Sequence, residues 1–466
     1  MKILLVNPPI PRKFRMLEYA DEAGKKSILR RVMVGPPLGL NELAGMIPEE
    51  DVIILDQKAE LDADPNYNHL EALIKEINEF KPEFVAITCL TAQYNSVMGM
   101  LEAIKNYDNK ILTSVGGIHP SLCPEDFIGS KADIISIGIG KLSFYQIVQE
   151  FKKNKENADF SNIAGLALNK GDSLHFTKPL SEVSYDEFQE CHMLENILPN
   201  RALTDKYDYR ISRMDNKKIQ YLSTSLGCTH KCNFCTVWPL TDGRYFHRDV
   251  ESIISELKLM DEYPIIRFCD ANTFGNVEKV RQLFNRIIEE GLNNHFYIAD
   301  VRTDTVIRHP DLIKLAAKAG LKVTICGLEA TSDEELKKYG KQNSIDTTRE
   351  ALRILNEAGI WVNGNYIVRP DFVEEDFDRV ASFVTENPIY HAGFTILTPF
   401  PGTEQWEELK DQVVIKDYDY YNLTNAVLET KLPEREFYNK LSELYKTSAK
   451  ATEKYFSIYG NPDQTK

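Results

Sequence analysis

Short apolar runs rich in β-branched residues recur along this chain, each followed by a stretch with helical spacing, and the alternation occurs in two separate series. The first series predicts strands at 2–6, 52–55, 84–88, 111–115 and 133–137, with helices such as 68–80 and 96–106 between them. Strands this short and this uniformly apolar are buried on both faces, and helical crossovers leave them parallel. Residues 1–150 therefore read as a doubly wound, Rossmann-like α/β domain. The second series begins near residue 219. It predicts strands at 220–225, 265–269, 296–301, 322–326, 361–367 and 392–397, and helices at 250–260, 277–290, 310–319, 333–339 and 347–358. Six βα units of similar size point to a partial (β/α)6 TIM-type barrel over residues 216–402. Residues 151–215 read as a connector with a short hairpin around Gly171-Asp172, and residues 403–466 as a helical C-terminal region.

Charge and composition narrow the function classes. The 466 residues carry 55 Lys and Arg against 70 Asp and Glu, a formal net charge of −15. An acidic surface repels phosphate backbones, so no nucleic-acid partner is expected. No stretch approaches the roughly 20 apolar residues that span a bilayer. The first apolar run is too short for a secretory signal, and a cytoplasmic location is expected. Cys89, Cys123, Cys191, Cys269 and Cys326 are scattered singly and read as small buried hydrophobes. The other three cysteines lie close together, and in a reducing compartment that points to metal rather than disulfides.

Those three form Cys228-x3-Cys232-x2-Cys235, directly after the first strand of the second series. Three thiolates in one loop can hold three irons of a cubane cluster and leave the fourth iron without a protein ligand. An open iron can chelate the amino and carboxylate groups of a methionine-type ligand. Four-cysteine ferredoxin spacing would fill that position, and no fourth cysteine is nearby. A structural zinc is the alternative, with His230 as its fourth ligand inside the tight loop.

The motif and its position resemble the radical SAM superfamily. The resemblance implies a [4Fe–4S] cluster on Cys228, Cys232 and Cys235 and S-adenosylmethionine (SAM) as cosubstrate. It implies that Phe234 packs near the adenine. Asn272, in Asp270-Ala-Asn272 after strand two, would meet the amino group. Arg302 after strand three would hold the carboxylate, and Glu329, in Gly327-Leu-Glu329 after strand four, the ribose or amino group. Alternatives remain for each: Arg302 and Glu329 as a rim ion pair, Asn272 as the cap of the following helix.

Loops after the first series carry Asn7 and Pro8, Gly39, Gly116, Gly117 and His119, and Gly138 and Gly140. Ligands of doubly wound sheets sit beyond the carboxyl ends of the strands. Glycine there lets backbone approach a ligand, although ordinary tight turns would also use it. The segments Asn7-Pro-Pro, Gly35-Pro-Pro-Leu-Gly39-Leu, Val115-Gly-Gly-Ile-His-Pro120 and the connector's Ile163-Ala-Gly-Leu-Ala-Leu resemble the cobalamin-binding domain that precedes many radical SAM barrels. The resemblance implies cobalamin bound with its nucleotide base displaced, since no Asp-x-His-x-x-Gly motif is present. Thr91, Gln93 and Tyr94 would border the lower face of the corrin. One departure stands out: the fifth-strand loop usually reads Gly-Glu-Gly-Glu, and here it reads Gly138-Ile-Gly140-Lys141. A degenerate domain that no longer binds cobalamin is the alternative.

The layout is most similar to the class B radical SAM methylases of hopanoid lipids and of bacteriochlorophyll-type pigments. This implies a methyltransferase that moves a methyl group from SAM through methylcobalamin to an unactivated carbon of an apolar lipid, pigment or secondary-metabolite substrate. Ring closure, oxidation or carbon–carbon coupling with the same cofactors is the second expectation, and a non-catalytic cobalamin or iron–sulfur sensor the third. An electron donor such as flavodoxin or ferredoxin and a transient membrane-surface contact are expected partners. Trp361, Tyr366, Tyr390, Phe394, Phe400, Trp406, Tyr418, Tyr420 and Tyr421 would either line an apolar substrate cavity or fill ordinary core.

Overall fold

The structure, a computed structural model, describes residues 1–29, 35–155, 157–184, 186, 197–211, 214–341 and 343–460; Cys191 lies outside them. The first sheet contains β1 (Lys2–Asn7), β2 (Asp51–Asp56), β3 (Phe84–Thr88), β4 (Leu112–Gly116), β5 (Ile134–Ser136), β6 (Leu166–Asn169) and β7 (Leu174–Phe176), in the order β2-β1-β3-β4-β5-β6-β7. β1 to β5 run parallel, with Ile3 level with Val52 on one side and Phe84 on the other. Successive strand side chains face opposite sides, so Ile3 and Leu5 join one apolar cluster while Leu4 and Val6 join another. All four are fully buried, as a sheet covered by helices on both faces requires. The hairpin at Gly171-Asp172 forms, but it does not stand apart in the connector. β6 pairs antiparallel with β5 and extends the first sheet past residue 150.

The second sheet follows with β8 (Arg210–Ile211), β9 (Lys217–Leu222), β12 (Ile265–Phe268), β13 (Phe296–Asp300), β14 (Leu321–Glu329), β15 (Trp361–Val368) and β16 (His391–Ile396), in the order β16-β15-β14-β13-β12-β9-β8. Its six long strands are parallel and β8 is an antiparallel edge. Among the described residues β16 and β8 do not pair, so the barrel stays open. Its inner face is filled low down by Ile219, Ile265, Ile298 and Val323, packed with Tyr209 and Ile211 of the edge. The outer face carries amphipathic helices. Val277–Glu289 buries Val280, Leu283, Phe284 and Ile287, one stripe at 3.6-residue spacing. The first barrel strand departs from expectation. Residues 220–225 are not one strand: β9 stops at Leu222, and Ser225–Gly227 forms β10, a separate ribbon antiparallel to β11 (Tyr245–His247).

Two further elements cross the expected boundaries. Met16, Ala20 and Ile28, near the start of the chain, belong to the barrel's outer core and not to the first sheet. They pack against the C-terminal helix Glu434–Tyr459, where Tyr19 stacks on Tyr438 at 5.3 Å and Lys446 pairs with Asp21 at 2.6 Å. That helix covers β16, with Ser448 Oγ donating to the Ala392 carbonyl. The C-terminal region is not helical throughout: between Glu404–Leu409 and Glu434–Tyr459 the chain crosses a single bridge, Val413 to Leu428. No helix is long and apolar enough to cross a membrane among the described residues.

Connector and barrel are locked by charge. Glu256, fully buried in the helix Val250–Leu257, pairs with Arg201 from the connector and, at 2.7 Å, with Arg248. Arg201 also donates to the Tyr221 carbonyl and Arg248 to that of Ser223. Removing one partner of a buried ionic triad leaves the others desolvated and uncompensated. Glu256→Leu is therefore expected to destabilise the chain by about 3–5 kcal/mol, read as a lowered urea midpoint under anaerobic conditions; an unchanged midpoint would refute this role.

Candidate active site

The parallel strands of the second sheet open on a cavity of about 450 Å³. Cys228, Cys232 and Cys235 line it, together with Phe234, Asn272, Arg302 and Glu329. Local structure explains how the cysteines arrive there. Gly227 has φ +76°, and a Cβ on it would meet the Arg244 carbonyl oxygen at 2.0 Å. Only glycine permits β10 to turn there into the loop. Within the loop the Cys235 amide donates to the Cys232 carbonyl at 3.1 Å, and Trp238 Nε1 donates to the same oxygen at 3.0 Å. Asn233 ties the loop outward, donating from its side chain to Lys338 O and accepting at its carbonyl from the Gln405 amide. Burial raises all three thiols, while the nearby cations Arg302 and Lys341 pull Cys228 and Cys232 back down. This local positive charge suits thiolate ligands.

Each polar side chain around the cysteines has a distinct holder. Asn272 does not cap the next helix; Asn276 does, accepting from the Lys279 amide. The Asn272 side chain donates to Thr229 Oγ1 at 3.1 Å, and its buried Oδ1 has no protein partner. Asp270 is fully engaged elsewhere, accepting from the Thr224 amide and hydroxyl and from the Ser225 amide. Arg302 and Glu329 do not pair with each other. Arg302 Nε donates to Asp304 Oδ1 at 3.0 Å, and Glu329 Oε1 lies 2.9 Å from Lys341 Nζ. Glu329 sits in the left-handed region at φ +62°, a strain found at functional positions. Its carboxylate folds back over Gly327, where a Cβ would meet Oε1 at 2.2 Å. Phe234 packs edge-on against Tyr339 at 5.6 Å. Lys341 and Asp304 were not singled out by sequence. Lys341 arrives from the loop after the helix Asp333–Lys338, and no spacing marks it. His230 faces the same cavity, with Nδ1 2.9 Å from Thr229 Oγ1.

A second cavity, of about 550 Å³, lies beyond the carboxyl ends of the first sheet. Asn7, Gly39, Gln93, Gly116, Gly117, Gly138 and Gly140 line it. A Cβ on Gly39 or Gly140 would enter open space, so both leave room that a ligand can fill. The Gly138-Ile-Gly140-Lys141 departure has a local partner: Lys141 pairs with Glu42 at 3.2 Å, and both line the cavity. Four residues expected here stand elsewhere. Pro8 is buried, with its carbonyl accepting from Gln93 Nε2 at 2.6 Å. Thr91 is buried at the start of a short turn. Tyr94 points away to donate to the Asp126 carbonyl. His119 is fully buried behind the loop. Thr91, Tyr94 and His119 each lie in the first turn of a helical segment, whereas Pro8 lies in the irregular loop after β1. Cys89 and Cys326 are buried as expected, whereas Cys123 and Cys269 are only partly so. Of the C-terminal aromatics only Phe400 reaches the barrel cavity. Tyr366, Phe394 and Tyr421 are core, and Trp361 stacks on Tyr390 at 5.0 Å.

A doubly wound corrinoid-type domain in series with an open barrel that carries three convergent cysteines defines a class of protein built for two cofactors. The comparisons agree. The family model for the radical SAM superfamily matches residues 222–384, and that for the B12 binding domain matches residues 25–148. The chain is 26% identical to the hopanoid C-3 methylase of Methylococcus capsulatus over 413 residues, 87% of this chain and 75% of that one. It is 24% identical to the anaerobic magnesium-protoporphyrin IX monomethyl ester cyclase of Cereibacter sphaeroides, over 80% of this chain and 60% of that one. In fold it is similar to the radical S-adenosylmethionine methyltransferase TsrM from Kitasatospora setae, solved with cobalamin and a [4Fe–4S] cluster: TM-score 0.66, 16% identity, covering 94% of this chain and 84% of that one. The chain belongs to the radical SAM superfamily, in the branch whose barrel follows a B12-binding domain.

The cysteine loop is tested by its iron. Wild-type protein reconstituted anaerobically is expected to take up about four irons per chain and to give the EPR signal of a reduced [4Fe–4S]⁺ cluster. The Cys228→Ala, Cys232→Ala, Cys235→Ala chain is expected to give neither; a retained cluster would place its ligands elsewhere.

Proposed function

We propose that this chain is a cobalamin-dependent radical SAM methyltransferase acting on an unactivated carbon of a small-molecule substrate. One observation carries the reading. Leu226 lines the first domain's cavity and Cys228 lines the barrel's, two residues apart along one ribbon. Their Cα atoms are therefore no more than about 7 Å apart, and the two cavities share a wall. A substrate carbon between them lies within reach of both.

When bound, a cluster with one iron free of protein ligands supplies the electron that cleaves SAM, and cobalamin supplies a transferable methyl group. The chain's own residues bind and orient. Arg302, held by Asp304, is suited to a carboxylate, which a guanidinium grips through paired N–H groups. Glu329 and the free Oδ1 of Asn272 are suited to an ammonium or hydroxyl donor. Ile325, Ile367 and Leu397 line the barrel cavity and Tyr221 and Leu226 the other, and these apolar surfaces keep water from a reactive carbon. Asp300 on the barrel cavity forms a 3.4 Å ion pair with Arg267 and is pushed up to about 6 by burial, and Arg267 lies over the ring of Tyr221, which lines the first cavity. This mixture suits an apolar substrate with a polar handle. A one-electron donor protein must reach the cluster side. Similarity to a magnesium-protoporphyrin ester cyclase supports ring closure as the second reading.

Gly327 tests the Glu329 assignment. Gly327→Ala places a methyl group against the Glu329 carboxylate and is expected to weaken SAM binding about tenfold, or about 1.4 kcal/mol. Equilibrium dialysis on the cluster-loaded protein reads this, and unchanged affinity would remove Glu329 from the SAM site. Methyl transfer is tested with SAM deuterated in its methyl group. Reduced holoprotein is incubated with small molecules from a strain lacking the gene, and a product heavier by about 14 Da (one CH₂) plus the label is expected. Formation of 5′-deoxyadenosine with an unlabelled, cyclised product would instead favour ring closure.

A further inference from the structure

The loop after β4 gathers three metal-ligating side chains away from both cavities. His119, Cys123 and Asp126 each offer one donor atom, and these atoms all lie within 4.8 Å of one another. No other trio of His, Cys, Asp and Glu among the described residues is drawn so close. The residues come from the short helix Ile118–Leu122, its C-cap, and the turn Pro124–Phe127.

Their surroundings point to a missing ligand. The His119 side chain is fully buried, with its ring against Tyr94 and Tyr418, each at 5.1 Å, and Phe127 at 6.0 Å. Its Nε2 stands 3.1 Å from Asp126 Oδ2, within ion-pair distance, and its buried Nδ1 has no hydrogen-bond partner. Buried ring nitrogens are almost always hydrogen-bonded, so the open Nδ1 calls for an explanation. Asp126 is fixed from two sides. Tyr418 donates to its Oδ2 at 3.0 Å and Tyr94 to its backbone carbonyl at 2.7 Å. Metal ligands are commonly oriented by outer partners of this kind.

We propose that His119, Cys123 and Asp126 bind a divalent transition ion of the zinc type, at a site separate from the cluster cysteines. The mixed nitrogen, sulfur and oxygen donor set fits zinc and disfavours magnesium or calcium, which take oxygen. Charge balances when the Cys123 thiol gives its proton to water: one thiolate, one carboxylate and a neutral imidazole offset the ion's two charges. Water completes the shell on the solvent side, where the Asp126 side chain is 33% exposed. The ion would fasten the loop that begins at Gly116 and Gly117, on the corrin-side cavity, to the C-terminal segment through Tyr418. Its role is a clasp between the first domain and the C-terminal segment.

The test uses full-length protein carrying cluster and cobalamin, passed through a chelator and titrated with zinc sulfate against a chromophoric competitor. One zinc per chain is expected by mass spectrometry, beyond the cluster iron. Zinc-edge absorption should show a single sulfur at about 2.3 Å with nitrogen and oxygen neighbours. Cys123→Ser and His119→Ala should each weaken binding at least tenfold, whereas the triple cluster-cysteine variant should keep the zinc. Should His119→Ala fail to fold, Cys123→Ser and Asp126→Asn carry the comparison. No stoichiometric zinc, a shell of three sulfurs, loss of zinc in the cluster variant, or undiminished binding by Cys123→Ser would each overturn the proposal.

Discussion

The carboxylate of Asp270 grips the end of β9, and the placement of the cysteine loop depends on that grip. Asp270 lies just past β12, and three donors from Thr224 and Ser225 converge on it. Burial alone would drive this carboxyl toward its neutral form, and the donors oppose that. Their convergence stops β9 at Leu222 and turns the chain into the β10–β11 ribbon. Arg248 continues the chain of contacts, donating from its amide to Thr224 O and from its side chain to Ser223 O. Glu256 holds Arg248 in turn. A line of buried polar contacts thus runs from the outer helix to the start of the ribbon that leads into the cysteine loop.

The ribbon also sets the distance between the domains' cavities. Leu226 lines one and Cys228 the other because the chain turns between them at Gly227, whose φ is +76°. No flexible linker intervenes at this point, so the spacing is a property of backbone geometry. Glu42 and Lys141 close the opposite side of the corrin-type cavity with one ion pair. The sign at position 141 is opposite to the usual acidic residue, and a carboxylate on the helix Leu38–Gly45 supplies its counterpart.

Much of this was legible in the residues. The alternation of apolar runs and helical stretches gave both parallel sheets because burial on two faces leaves a plain pattern. The cysteine spacing and the Gly-x-Glu at the end of β14 located the barrel cavity. What stayed illegible depended on contacts distant in sequence. Nothing near residue 220 says that β9 ends at Leu222; Asp270, 46 positions beyond Thr224, decides it. Lys341, on a loop, and Asp304, in the first turn of the helix Thr303–Arg308, hold Glu329 and Arg302 from positions without a motif. Pro8, Thr91, Tyr94 and His119 sit in the segments that the resemblance singled out, yet none of them lines the cavity. The aromatic-rich C-terminus reads as core more readily than as cavity, and tertiary packing puts Tyr366, Phe394 and Tyr421 in the core and Phe400 on the cavity.

The pairing of Arg15–Leu29 with Glu434–Tyr459 carries a consequence for how this chain is made. Its N-terminal segment leaves the first sheet after β1 and waits for a helix that begins 419 positions after Arg15. The first sheet can assemble early, because its neighbouring strands lie close in sequence. The barrel's outer layer cannot be sealed until that helix has emerged, since contacts this distant form late. During synthesis the cysteine loop is therefore enclosed after the corrin-type domain can fold, when Arg15–Leu29 and Glu434–Tyr459 meet.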